Sequence, residues 1–69
     1  MLSNQNLKDK IILITGAGDG MGRSASIEYA SQGASVILLG KDVKNLEETH
    51  DIIISKNSPT PMISFLDLS

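Results

Sequence analysis

The chain has 69 residues, of which 41% are hydrophobic and 20% charged, and its formal net charge is -2. A nucleic-acid surface normally carries clustered lysine and arginine, whereas the basic residues here are scattered, so nucleic acid is not an expected partner. No run approaches the roughly 20 apolar residues of a membrane span, and the start lacks the basic-then-apolar order of a secretory signal. We therefore expect a cytoplasmic protein without a membrane partner. Because cysteine is absent and histidine occurs once, neither a disulfide nor a metal site is expected.

The length predicts an incomplete domain. Ordering a chain takes roughly 1–2 kcal/mol of backbone entropy per residue, and domains below about 80 residues rarely gain more than a few kcal/mol from one core. No disulfide offsets this, and Tyr29 and Phe65 are the two aromatic residues. We expect residues 1–69 to be the N-terminal half of a domain, with a polar tail over 1–6, either as a fragment or as a truncated gene product.

The first half of the chain predicts a strand, a turn and a helix. Four apolar residues at 11–14 are typical of a buried parallel strand. After a glycine-dense turn, a helix is expected over about 20–32, with Gly33 as its left-handed C-terminal cap. Its inward side is expected to consist of Met21, Ala25 and Tyr29, with Gly22, Ser26 and Ala30 beside them.

The second half repeats the alternation. Residues 35–39 predict strand two, and Asp42 is a good N-cap for a second helix that ends near Lys56. A loop follows over 57–61, where two prolines disfavour helix, and strand three is expected over 62–68. The inward stripe of the second helix is predicted to be Val43, Leu46, His50 and Ile53.

This order predicts an α/β fold: a Rossmann-type, three-layer arrangement of which only β-α-β-α-β is present. Right-handed crossovers give a parallel sheet with strand order 3-2-1. Strand one, which is normally central in such a sheet, would be an open hydrophobic edge if nothing followed.

The turn between the first strand and helix predicts a phosphate-binding site. Small residues let backbone approach a ligand, and the first N–H groups of a helix, together with its dipole, suit a pyrophosphate. A G-x-G-x-x-G fingerprint starting at Gly16 fails, because position 21 is Met21. The spacing Thr15-Gly16-x-x-x-Gly20-x-Gly22 instead resembles the short-chain dehydrogenase/reductase family. Further matches are Leu7-Lys8-Asp9-Lys10, Gly22-Arg23, Gln32-Gly33-Ala34 and Leu66-Asp67-Leu68.

The resemblance implies roles for individual residues of the turn. Gly16, Gly20 and Gly22 would shape the turn and admit the pyrophosphate of a nicotinamide dinucleotide, and Gly18 would line the same site. Met21 would pack beneath the nicotinamide side of the cofactor, the alternative being an ordinary contact inside the helix. For the glycines, the alternative is turn formation alone.

The end of strand two bears on the choice between NAD and NADP. In this family an NAD enzyme usually has a carboxylate there, which this chain replaces with Gly40. Lys41 follows and would meet a 2′-phosphate, so NADP is favoured and NAD is not excluded. Asp19 opposes this choice, because many NADP-dependent relatives carry a basic residue at its position in the cofactor site, where Asp19 would face the same phosphate unfavourably. Lys41 as a solvated surface lysine also remains open.

The resemblance further assigns Asp67 and Leu68 to the adenine, with a solvated acid as the alternative for Asp67. The family transfers hydride between nicotinamide and a small carbonyl or alcohol substrate, using Tyr-x-x-x-Lys, Ser and Asn, and its members are usually homo-oligomers. None of this catalytic set is expected in these 69 residues. The one tyrosine, Tyr29, is placed on the core side, and Gly33 stands four residues later, where the motif needs a lysine. The chain alone is therefore predicted to be inactive.

Two other classes fit less well. A non-catalytic chain could bind a nucleotide, or a partner through the open sheet edge. A P-loop NTPase is suggested by Ala17-x-x-x-x-Gly22-Arg23-Ser24, but Arg23 stands where the motif needs a lysine. Arg23 itself is predicted to lie either near the phosphates or on the surface.

Overall fold

The computed structural model describes residues 6–65, which form the five predicted elements in the predicted order. They are β1 (Ile11–Thr15), α1 (Gly20–Ser31), β2 (Ser35–Gly40), α2 (Val43–Ser55) and β3 (Met62–Phe65). Within the described range, each predicted boundary lies within one residue of the observed one. The prediction that β3 reaches Leu68 lies partly outside the described residues.

The three strands form a parallel sheet in which β2 is central. Ile12 pairs with Val36, and Leu38 pairs with Ile63, so alternate residues of all strands share one face. The helix α1 contacts β1 and β2, α2 contacts β2 and β3, and the helices contact each other on that face. The predicted β-α-β-α-β unit and strand order are therefore confirmed. Residues 6–65 supply the sheet and one helical layer.

The hydrophobic core lies between the sheet and this helical layer. The central strand provides Val36 and Leu38, and α2 provides Leu46 and Ile53, all of them buried. The opposite face is open in the described part of the chain, where Leu13 is 55% and Met62 63% exposed. Among residues 6–65, β1 lies at one edge of the sheet, as the predicted strand order requires, and its outer apolar face is exposed.

The inward side of α1 was predicted in part. Met21 is 89% and Tyr29 37% exposed, whereas Ser26 and Ala30 are buried. Small side chains let this helix lie close to its neighbours, and the hydroxyl of Ser26 is satisfied by the Gly22 carbonyl at 2.7 Å. Tyr29 is thus not a core residue.

The inward stripe of α2 was predicted in part. Leu46 and Ile53 are buried as expected, but Thr49 is buried between them while Val43 is exposed. His50 is half-buried, with Nδ1 3.1 Å from Oδ1 of Asp51. Positions 49 and 50 both lie about one helical turn from Leu46 and Ile53. Thr49 is the buried one of the two, because its hydroxyl forms hydrogen bonds with residues outside α2.

The helix ends match their sequence signals. Gly33 follows α1 with φ +98°, the left-handed conformation expected of a C-terminal cap. Asp42 precedes α2, and its carboxylate accepts a hydrogen bond from the Asn45 N–H at 3.2 Å. Among residues 6–65, neither helix has the length and hydropathy that crossing a bilayer requires.

Candidate functional site

The glycine-rich turn between β1 and α1 depends on three glycines for different reasons. Gly16 and Gly20 have φ of +64° and +55°, a conformation that side chains disfavour. Gly22 has little space, because a Cβ there would collide with the carbonyl of Gly16. Only glycine at position 22 therefore lets α1 begin directly over the turn.

The start of α1 presents backbone donors. Asp19 is the N-cap residue, with extended backbone and no capping hydrogen bond from its side chain. The Arg23 N–H donates to the Asp19 carbonyl at 3.2 Å and begins the helical ladder. The N–H groups of Gly20, Met21 and Gly22 precede that bond, so they have no partner within the helix. Together with the helix dipole they can bind an anion such as a pyrophosphate.

A cavity of about 250 Å³ joins this turn to the end of β2. The Ala17 N–H donates to the Leu39 carbonyl at 3.2 Å and keeps the two segments together. The lining comes from the turn, from the end of β2 and from the start of α2: Gly16, Gly18, Asp19, Gly40, Lys41, Asp42, Asn45 and Leu46.

Five of the predicted cofactor-binding residues thus meet at one cavity: Gly16, Gly18, Asp19, Gly40 and Lys41. Three others, Gly20, Met21 and Gly22, form the adjoining first turn of α1. Asp67 and Leu68 lie outside the described residues. The sequence did not indicate Asn45 or Leu46, which reach the cavity because α2 packs against the turn.

Charge at the cavity comes from Lys41, Asp42 and Asp19, all exposed. The Asp42 carboxylate is engaged as the N-cap of α2, as predicted. Beside Gly40 the space is already filled, since a Cβ there would lie 3.2 Å from Cδ2 of Leu46. Among the described residues that line this cavity, Lys41 is the one cation. Residues 6–65 contain no group of three or more metal-binding side chains.

Met21 projects away from the protein interior. Its 89% exposure rules out the alternative of an ordinary contact inside the helix. An exposed apolar side chain next to free helix N–H groups is available for contact with a bound ligand.

The proximity of Arg23 to the phosphates stays a prediction, but its side chain is not free on the surface, because it is bound to α2 and 26% exposed. Its Nε donates to Oγ1 of Thr49 at 2.9 Å, and its Nη2 donates to the Gly18 carbonyl at 2.7 Å. Nη2 also lies 3.2 Å from the Asn45 carbonyl and 3.1 Å from Oε1 of Glu48. The partners of Arg23 on α2 are 22 to 26 residues away, so local sequence patterns carried no signal for them. A P-loop role for Arg23 is not supported, since its guanidinium is already engaged.

Similar proteins were found by sequence and by structure. The family model for short chain dehydrogenase matches residues 10–69. The uncharacterized oxidoreductase YciK of Escherichia coli K12 is 45% identical, over 90% of this chain and 25% of its own length. A short chain dehydrogenase of E. coli CFT073 complexed with NADPH superposes with a TM-score of 0.89 at 42% identity, over 97% of this chain and 28% of that one.

A short chain dehydrogenase of Shigella flexneri 2a complexed with NADP has the same TM-score of 0.89, at 43% identity and over 94% of this chain. The chain spans about a quarter of the length of these relatives, as 25%, 28% and 27% of their residues are covered. The family match spans both the glycine-rich turn and the end of β2, where the cavity lies. From its sequence, fold and this match, the chain belongs to the short chain dehydrogenase family.

Proposed function

We propose that this chain forms the adenosine- and pyrophosphate-binding part of an NADP(H)-dependent oxidoreductase. The observation that carries the proposal is the shared cavity of the glycine-rich turn and the Gly40–Lys41 end of β2. A pyrophosphate would bind the free N–H groups at the start of α1, which places the adenosine ribose near the end of β2. Asp67 and Leu68 are proposed to contact the adenine.

Selection of NADP(H) is proposed to depend on Lys41. No carboxylate side chain stands at position 40 to bind the ribose hydroxyls or repel a 2′-phosphate. Lys41 can pair with that phosphate, and it offsets the repulsion that Asp19 adds at the same cavity. The two similar structures complexed with NADPH and NADP support this choice.

The reaction proposed for the whole protein is hydride transfer on a small carbonyl or alcohol substrate. The bound nicotinamide would supply or accept the hydride, while the residues described here hold the other end of the cofactor. The Tyr-x-x-x-Lys pair of the family does not occur in these 69 residues, so proton transfer is not assigned to them. Residues 1–69 are proposed to be one half of the cofactor-binding domain of a homo-oligomeric protein. The cytoplasmic location stays a prediction.

Cofactor titration of the protein produced from its complete reading frame tests the proposal. We expect NADPH to bind more tightly than NADH in isothermal titration calorimetry. Replacing Lys41 with alanine should weaken NADPH binding by roughly tenfold, the contribution of one charge-assisted hydrogen bond, and leave the affinity for NADH unchanged. Lys44→Ala is the matched control, because Lys44 is exposed on α2 and does not line the cavity.

Two results would contradict the proposal. Equal affinity for NADPH and NADH, unaltered by Lys41→Ala, would remove the role of Lys41. Tight cofactor binding without oxidoreductase activity on any carbonyl or alcohol would instead favour the alternative of a non-catalytic nucleotide-binding module.

A further inference from the structure

We infer that Arg23 and Thr49 are positioning residues: they hold the glycine-rich turn against α2, in the orientation that binds the dinucleotide pyrophosphate. The inference rests on the proposed function. Neither residue lines the cavity. Both act through the backbone of Ala17 and Gly18, and Gly18 does line it.

Thr49 connects α2 to the turn through its hydroxyl. Its Oγ1 lies 2.9 Å from the Ala17 carbonyl and 3.2 Å from the Asn45 carbonyl in its own helix. A hydroxyl has one hydrogen to donate, and the shorter contact favours Ala17. The same oxygen accepts from Nε of Arg23 at 2.9 Å. Because Thr49 is fully buried, loss of the hydroxyl would leave partners without a replacement from water.

Arg23 holds the next carbonyl of the turn. Its Nη2 donates to the Gly18 carbonyl at 2.7 Å, a charge-assisted hydrogen bond. A cation in the first turn of a helix is disfavoured by the helix dipole, so an arginine at this place needs compensating acceptors. The Gly18 and Asn45 carbonyls and the Glu48 carboxylate supply them. A lysine has a single charged nitrogen and cannot reproduce the set of contacts made by Nε and Nη2.

Fixing these two carbonyls also fixes two donors. In a planar trans peptide the carbonyl and the following N–H point in opposite directions. With the Ala17 and Gly18 carbonyls held by side chains bound to α2, the N–H groups of Gly18 and Asp19 are directed away from these contacts. The absence of a side chain at Gly18 permits this approach, because a Cβ there would lie 2.9 Å from Cβ of Asn45.

The test compares two ligands that share the adenosine 2′-phosphate: NADP⁺, which also carries the pyrophosphate and the nicotinamide riboside, and adenosine 2′-monophosphate, which carries neither. In Thr49→Val and Arg23→Met, we expect NADP⁺ to bind roughly tenfold more weakly, as for one lost hydrogen bond. The affinity for adenosine 2′-monophosphate should change by less than about twofold, because its proposed contacts lie at the end of β2. Thr49→Ser should restore wild-type affinity, since serine keeps the hydroxyl. Glu47→Gln is the matched control, because Glu47 is an exposed residue of the same helix that makes none of these contacts.

The outcomes separate this inference from the proposed function. If the wild-type protein binds neither ligand, the proposed function fails. If the wild-type protein binds both, and the variants lose affinity for both by the same factor or for neither, the positioning role is overturned. Thermal unfolding of each variant, measured alongside, identifies one that does not fold. In that case Arg23→Lys takes its place, and we expect it to weaken the binding of NADP⁺ but not that of adenosine 2′-monophosphate.

Discussion

The two faces of the sheet carry similar apolar side chains in different surroundings. On one face Val36 and Leu38 are covered completely by α1 and α2, whereas on the other Leu13 is 55% and Met62 63% exposed. The difference comes from the helical layer and not from residue type, because aliphatic residues occupy both faces. Stability and site geometry in the described part of the chain should therefore depend on how the helices are held.

The largest effect is expected at the covered face, from Leu38→Ala. Leu38 is fully buried in the central strand, and truncation leaves a cavity between sheet and helices. We expect the free energy of unfolding to fall by about 2–5 kcal/mol, measured by urea denaturation with an unchanged m-value. A loss below about 1 kcal/mol would show that the helical layer does not seal this face.

The next effect tests how closely α1 is seated. Gly22→Ala introduces a Cβ into the Gly16 carbonyl, so the helix start or the turn has to move. We expect a loss of about 1–3 kcal/mol in the same measurement, together with weaker NADP⁺ binding. Gly20→Ala is the control: it has φ +55° and no neighbouring atom within 4 Å, so only about 1 kcal/mol of backbone strain is expected. Equal losses for the two variants would mean that the close approach at Gly22 is unimportant.

The sequence was sufficient for features that depend on local patterns. Strand and helix bounds, the strand order, the Asp42 cap and the left-handed Gly33 follow from apolar runs, glycine, proline and capping residues. The inward side of α1 was predictable only in part: Ser26 and Ala30 were expected there and are buried, whereas Met21 and Tyr29 were expected there and are exposed. Its buried residues, Ser26 and Ala30, are small, and apolar spacing gives more weight to the larger Met21 and Tyr29.

The site was predictable only where its residues belong to motifs. The glycine-rich turn and the Gly40–Lys41 end of β2 were singled out from the chain and meet at one cavity. The contribution of α2 was not predicted, because the contacts of Thr49 with Ala17 and Arg23 join residues 32 and 26 positions apart. Such pairs depend on the packing of two helices, which a single sequence does not reveal.

A smaller effect is expected from loosening α2 at its start. Asp42→Ala removes the carboxylate that accepts from the Asn45 N–H, the cap of the helix that covers β2 and β3. We expect a loss of about 1 kcal/mol in the free energy of unfolding. Asp42→Asn keeps an acceptor and should retain most of the stability. If both variants were as stable as the wild-type chain, the cap would contribute nothing to holding the helical layer.

The smallest effect is expected on the open face, from Leu13→Ala in the 69-residue chain. Leu13 already exposes 55% of its surface, so truncation removes little buried area and leaves no closed cavity. We expect the free energy of unfolding to fall by less than about 1 kcal/mol, well below the loss expected for Leu38→Ala. The same substitution in the protein produced from the complete reading frame then reports on what lies against this face. A loss that rises to the range of Leu38→Ala would show that another segment or subunit buries Leu13 there, whereas an equally small loss would show that this face stays open to solvent.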